Sequence, residues 1–281
     1  MYNRRRGTPQ RLLQELSYDG RILAIDRDRE TLERTAGEIN DPRVTFKLGD
    51  FRYLESILIE IGWEQVDGIL LDLGVSSFQL DDAERGFSFR QDAVLDMRMN
   101  RSQNYSAREL VNEYSEEDLR RIIYQYGEEK YARSIARAIV KNRELQHIET
   151  TMQLADIIKS AVPQSYRREK HPARKTFQAI RIEVNRELEA IEEVLPQAVN
   201  VLQTGGRLCV ITFHSLEDRL VKQFLQRESK DCVCPPGLPV CTCGHKPRLK
   251  LVNRKALLPD DAECEINPRA RSAKLRVASR I

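Results

Sequence analysis

The chain has 281 residues, 41% of them hydrophobic, enough for one large domain or two small ones around an ordinary core. Its 46 basic and 43 acidic residues leave a net charge of +3, so overall charge does not mark a nucleic-acid binder. No apolar run approaches the roughly 18 residues of a membrane span. The basic start Met1 to Arg6 is followed by no signal-peptide apolar segment, and a cytoplasmic location is the expectation.

In chain order, Ile22-Leu-Ala-Ile-Asp26 is a short apolar run ending in an acid, a helix is predicted from Arg29 to Ile39, and Val44-Thr-Phe-Lys-Leu48 has strand composition. Gly68 to Leu71 is the next predicted strand. Asp72 should then sit at the carboxyl end of a strand, where ligands bind in open α/β sheets. The segment after it, Leu73-Gly-Val-Ser-Ser-Phe-Gln-Leu-Asp-Asp82, is too polar for a core and too long for a plain turn. From Ser106 to about Ala161 no strand signal occurs. Ser115-Glu-Glu-Asp118 resembles a capping box before a helix from Leu119 to Tyr126, and Tyr131–Val140 and Met152–Ala161 continue with helical periodicity. Phe177, Ile180, Val184, Leu188, Ile191 and Leu195 step by three or four and predict one long amphipathic helix. Arg207-Leu-Cys-Val-Ile-Thr-Phe213, entered through Gly205-Gly206, is a further strand. Strands alternating with helices imply a parallel sheet in an α/β fold. The expected organisation is a sheet domain in two parts, residues 1–105 and 171–281, interrupted by an inserted helical domain, 106–170.

Six segments together resemble the RsmH (MraW) family: Asp72 to Arg90, Leu95-Asp-Met-Arg-Met99, Tyr126-Gly-Glu-Glu-Lys130, Thr176 to Arg181 with Asn185 and Glu187, Thr212-Phe-His-Ser-Leu-Glu-Asp218, and Asn267-Pro-Arg-Ala-Arg-Ser272. They run in the family's order from about Gly20 to the C-terminus. The resemblance implies a Rossmann-like methyltransferase sheet and transfer of a methyl group from S-adenosylmethionine to N4 of a cytidine in 16S ribosomal RNA, with that RNA or the small ribosomal subunit as partner. It implies cofactor contacts at Asp26, Phe51, Asp72 and Gln79. The chemistry of these residues agrees: an acid after a strand accepts hydrogen bonds from ribose hydroxyls, and Gly49-Asp-Phe51 offers an apolar wall beside a polar group. Taken singly, Asp26 also suits a helix cap for 29–39, Phe51 a core position and Gln79 the surface.

The N4 amine of cytosine is a poor nucleophile because its lone pair is delocalised into the ring. An acceptor must polarise an N–H while the amine is held in line with the methyl group. Asp72 with Ser76 and Ser77 are the candidate catalytic residues. Asp96 and His214 are second candidates, against a salt bridge from Asp96 to Arg98 and a helix cap by His214. Phe87, Phe89 and Arg90 could hold an unstacked base or could be ordinary packing. Local basic clusters could meet phosphate or could be solvated charge: Arg4–Arg6, Arg167–Arg168 with Lys170 to Lys175, Lys246 to Lys255, and Arg269 to Arg280.

Cys232-Val-Cys234 and Cys241-Thr-Cys243 form C-x-C-x6-C-x-C with His245 close behind. Four thiolates can bind zinc, but structural zinc pairs are usually spaced C-x2-C or wider, so the expectation is a reduced, metal-free loop. The resemblance also implies a first strand and a glycine-rich turn before the position of Gly7, whereas the chain starts Met1-Tyr-Asn-Arg-Arg-Arg-Gly7. The expectation is a start codon assigned too late. The alternative is a truncated, catalytically impaired RNA-binding protein on a methyltransferase scaffold.

Overall fold

The structure is a computed structural model that describes residues 8–169, 171–235 and 240–281. The Arg4–Arg6 cluster, Gly7, the segment before it and Lys170 lie outside the described residues. In chain order the elements are α1 (Thr8–Glu15), β1 (Ile22–Asp26), α2 (Arg29–Glu38), β2 (Val44–Leu48), α3 (Leu54–Glu60), β3 (Val66–Asp72), α4 (Ser77–Asp81), α5 (Ala107–Glu113), α6 (Glu116–Gln125), α7 (Ala132–Arg143), α8 (Thr151–Ser160), α9 (Gln164–Glu169), α10 (Ala173–Asn185), α11 (Glu187–Val201), β4 (Leu202–Thr212), α12 (Ser215–Glu228), β5 (Leu249–Leu251), α13 (Asp261–Ile266) and β6 (Lys274–Arg280). The chain divides into two compact units.

Among the described residues, the first unit comprises 8–26, 35–74 and the described part of 188–281 and carries the six strands β1 to β6. β1 and β2 pair in parallel, Asp26 opposite Leu48, as a two-stranded sheet. The second sheet has the order β3-β4-β6-β5. β3 and β4 are parallel, with Asp72 opposite Ile211, while β6 runs antiparallel to both β4 and β5. The sheet is therefore mixed, not purely parallel. The two antiparallel strands are not apparent from sequence: Lys274-Leu-Arg-Val277 alternates polar and apolar side chains as a strand does, but the charge of the segment resembles a basic patch. Among the described residues no strand precedes β1, and no backbone pairing joins β1 to β3. The core of this unit packs Leu54 and Leu58 of α3, Ile191, Val194, Leu195 and Ala198 of α11 and Val221 and Leu225 of α12 with Leu71, Leu208 and Val210 of the strands.

The second unit comprises residues 27–34 and 75–187. Its core draws Leu110, Leu119, Ile122, Ile123, Ile135, Ile139, Leu154, Ile158, Phe177 and Ile180 from five helices together with Leu95 and Met97 of the preceding loop. Several of these are fully buried, each worth about 1.5–3 kcal/mol relative to exposure. Helix starts follow the sequence chemistry: Ser106, Ser115 and Thr150 cap α5, α6 and α8 by accepting backbone N–H groups. The long helix predicted from 177 to 195 is two helices. Arg186 takes left-handed angles, φ 49° and ψ 44°, and ends α10. Apolar periodicity continues across the break because α10 and α11 both bury one face, so periodicity could not reveal it.

Candidate active site

In the first unit the candidate residues cluster by topology. Asp26 ends β1, and its carbonyl accepts the Gly49 N–H at 3.0 Å, which joins the strand end to the turn after β2. There Asp50 accepts from the Arg52 N–H at 3.1 Å and starts a short 3-10 helix, Phe51–Tyr53. Parallel pairing thus puts Asp26 and Phe51 at the same end of one sheet. Phe51 is half-buried against the core, so it offers an apolar surface while helping the packing. The cap of α2 is Asp28, whose Oδ1 accepts from the Glu30 and Thr31 amides at 3.1 and 3.4 Å.

Asp72 is exposed at the end of β3, directly after buried Leu71. The Leu73 N–H continues the ladder to the Ile211 carbonyl at 3.1 Å, which brings the exit of β3 beside the exit of β4. That second exit is held by Glu217, 1% exposed, whose carboxylate accepts the Phe213 and His214 amides at 2.7 and 3.2 Å. His214 is the N-cap of α12, with Nδ1 accepting from the Glu217 amide. Its cap role is therefore met in the structure. Next to it Asp218 pairs with Arg276 at 2.7 Å and Lys274 at 3.1 Å. Burial pushes this carboxyl up, but the two cations hold it below the usual carboxylate range. Glu217 and Asp218 were not singled out in the sequence. Their signal was the second half of a capping pattern, His214-x-x-Glu217.

In the second unit Ser76 caps α4: its Oγ accepts the Gln79 N–H at 3.2 Å, and its own N–H donates to Gln79 Oε1 at 2.9 Å. Ser77 is exposed. Gln79 is 5% exposed, not a surface residue, and its amide Nε2 donates to Asp28 Oδ2 at 2.6 Å. Asp28 also pairs with Arg85 at 2.8 Å, both side chains 3% exposed, and Arg85 donates to the carbonyls of Arg98 and Met99 at 2.9 and 3.1 Å. Gln79, Arg85 and Phe78 line a cleft of about 260 Å³ shared with Glu30, Thr31 and Arg34. Asn185 completes the frame, accepting the Met99 N–H at 2.8 Å and donating to the Met97 carbonyl at 2.7 Å.

The rest of the 72–99 stretch is scaffold. Asp96 forms the ion pair with Arg98, Nε to Oδ1 2.7 Å. Phe87 lies in the core. Phe89 stacks on His171, centroids 4.3 Å apart, and meets Phe177 edge-on. Arg90 is exposed. Gly86 has φ +68°, and a Cβ there would come within 2.4 Å of the Val94 carbonyl oxygen and 2.6 Å of the Asp96 nitrogen, so the turn admits only glycine. Of the basic clusters, Arg167 donates to the Val162 carbonyl and Lys175 to that of Glu128, while Arg168, Arg174, Arg254, Lys255, Arg269 and Arg271 are exposed. Among the described residues no helix is long and apolar enough to cross a membrane.

Acids at the carboxyl ends of parallel strands, followed by a glycine-containing turn and a polar capped loop, define an α/β protein with its ligand site at the strand ends, consistent with the Rossmann-like methyltransferase class. Comparison with known proteins agrees: the MraW methylase family matches residues 5–281. Ribosomal RNA small subunit methyltransferase H of Clostridium botulinum (strain Loch Maree / Type A3) is 49% identical over 276 residues, 98% of this chain and 89% of that protein. The protein of the same name from Carboxydothermus hydrogenoformans is 51% identical over 266 residues, 94% of this chain and 85% of the relative. That of Brevibacillus brevis is 50% identical over 272 residues, 95% and 86%. The chain belongs to the MraW methylase family.

Proposed function

We infer that the protein is an S-adenosylmethionine-dependent methyltransferase acting on N4 of a cytidine in small-subunit ribosomal RNA. Near-complete coverage by the family, with relatives at about half identity that carry the ribosomal RNA methyltransferase name, carries this reading. It favours the enzyme over a non-catalytic scaffold.

The donor set suits the cofactor. Asp26 supplies a carboxylate for ribose hydroxyls, Phe51 an apolar wall for a purine and Asp72 an acid at the end of β3 in the second sheet. S-adenosylmethionine, when bound, supplies an electrophilic methyl group on a sulfonium. For Gln79 the resemblance gives a further cofactor contact. Its buried amide also supports a positioning role, because it ties the Ser76 turn to Asp28.

Asp72 is the acceptor in the reaction. Its carboxylate, exposed at the strand end, takes a hydrogen bond from the cytidine amine and keeps the nitrogen lone pair directed at the methyl carbon. With the cofactor bound, the N–C bond would form as the methyl–sulfur bond breaks to leave the thioether S-adenosylhomocysteine, and Asp72 would take the amine proton. Ser76 holds the turn that follows through its cap, and Ser77 presents an exposed hydroxyl as a second polar contact to the base. Exposed Arg168 and Arg174 on one unit and Arg269 and Arg271 on the other offer phosphate contacts.

Calorimetry with S-adenosylmethionine, paired with transfer of labelled methyl groups to small-subunit RNA, tests the reading. Saturable binding and label at cytidine N4 support it. Binding without label at any RNA cytidine would reject the substrate, and absence of binding would reject the cofactor assignment. RNA affinity should fall steeply with salt if phosphates are neutralised.

A further inference from the structure

We propose that Cys232, Cys234, Cys241 and Cys243 form a tetrahedral thiolate site for one zinc ion. The four are free thiols, and all four sulfur atoms lie within 4.8 Å of one another. Sγ of Cys241 is 3.6 Å from that of Cys243, Cys243 is 3.8 Å from Cys232, and Cys234 is 4.0 Å from Cys241. A zinc–sulfur bond of about 2.3 Å requires ligand sulfurs about 3.8 Å apart in a tetrahedron. The three edges of 3.6, 3.8 and 4.0 Å match that figure, although the C-x-C spacing had argued against a metal.

The backbone is arranged as a ligand shell. The Val233 N–H points to Cys243 Sγ at 3.5 Å and the Cys234 N–H to Cys232 Sγ at 3.4 Å, the type of contact that orients metal ligands from outside. Gly244, φ +60°, turns the chain away directly after the fourth cysteine. His245 is not a fifth candidate, because its Nε2 meets the Arg227 carbonyl at 3.0 Å.

Among its described residues the loop has little else to hold its shape. From Ser229 to Pro247 no described residue is buried and none belongs to a helix or strand. It is tied near its base by the Arg248 N–H to the Glu228 carbonyl at 2.8 Å, the Arg248–Glu228 ion pair at 2.7 Å and the His245 contact to the Arg227 carbonyl. A metal cross-link would order such a segment, as it does in small scaffolds short of a core, and soft thiolates suit zinc among the common divalent ions. Binding displaces the thiol protons to water, so no redox partner is required. The site shares no residue with the proposed methyl-transfer site, and its failure would leave that reading untouched.

The test uses the full chain, reduced, stripped with chelator and kept anaerobic. Titration with Co²⁺ should give the visible bands of tetrahedral thiolate cobalt, saturating at one ion per chain and bleached by one equivalent of Zn²⁺. The double variant Cys241→Ser/Cys243→Ser should lose the bands and the bound zinc while keeping the far-ultraviolet spectrum. Cys209→Ser/Cys264→Ser should keep both. Zinc should also slow proteolysis between 229 and 247. Four thiols reacting freely with a thiol reagent in the presence of equimolar Zn²⁺, or metal uptake that survives the 241/243 variant, would overturn the site.

Discussion

Aspartates at the strand ends of the first unit and aspartates in the second unit differ in what surrounds them, and that difference separates chemistry from scaffold. Asp72 is exposed at the end of β3. Asp28 is locked between Gln79 and Arg85 with almost no solvent access, and Asp96 is spent on Arg98. An exposed carboxylate can meet a substrate. One buried in an ion pair fixes backbone, and its removal is expected to cost stability before activity.

Asp72→Ala is the sharpest break of that comparison. Methyl transfer should fall by about 10²–10⁴-fold with the thermal melt unchanged; substantial residual activity would remove Asp72 from the mechanism. Arg85→Met should act oppositely, removing the Arg85 cation from buried Asp28 and lowering stability by about 3–5 kcal/mol, read by urea unfolding. A stability loss below about 1 kcal/mol, within the range of exposed pairs, would show that the network is not structural. Gly86→Ala should lower stability by about 2–4 kcal/mol, from left-handed strain and the clash with the 94–96 backbone, and a neutral result would contradict the close approach there.

The smallest effect concerns pH. Partial burial pushes the Glu109 carboxyl up, but hydrogen bonds from Ser106 and Arg108 outweigh it and bring it down to about 2. Because the folded value is depressed, its stabilisation is present above the ordinary glutamate value of about 4.3 and is lost as pH falls toward about 2. The stability difference between wild type and Glu109→Gln should therefore shrink across that window. A difference that stays constant with pH would exclude the linkage.

Much of the fold was legible because period and capping are local. Strands at 22–26 and 44–48, the helix after Asp28 and the serine and threonine caps follow from side chains a few residues apart. The break at Arg186 and the antiparallel β6 were not, since one is a single backbone conformation and the other a pairing with residues about 70 positions earlier. In the site, Asp26, Phe51 and Asp72 could be named from strand ends and motif. The burial of Gln79 could not, because it depends on Asp28, 51 positions away.

The sequence by itself determined the family, the class of fold and the strand ends at which the candidate acids stand, because these rest on local pattern and motif. Only the tertiary structure decided which aspartates are exposed and which are consumed in ion pairs, and that C-x-C spacing brings four sulfurs to tetrahedral separation. Burial and convergence depend on contacts between residues far apart in the chain, and linear spacing carries no measure of either.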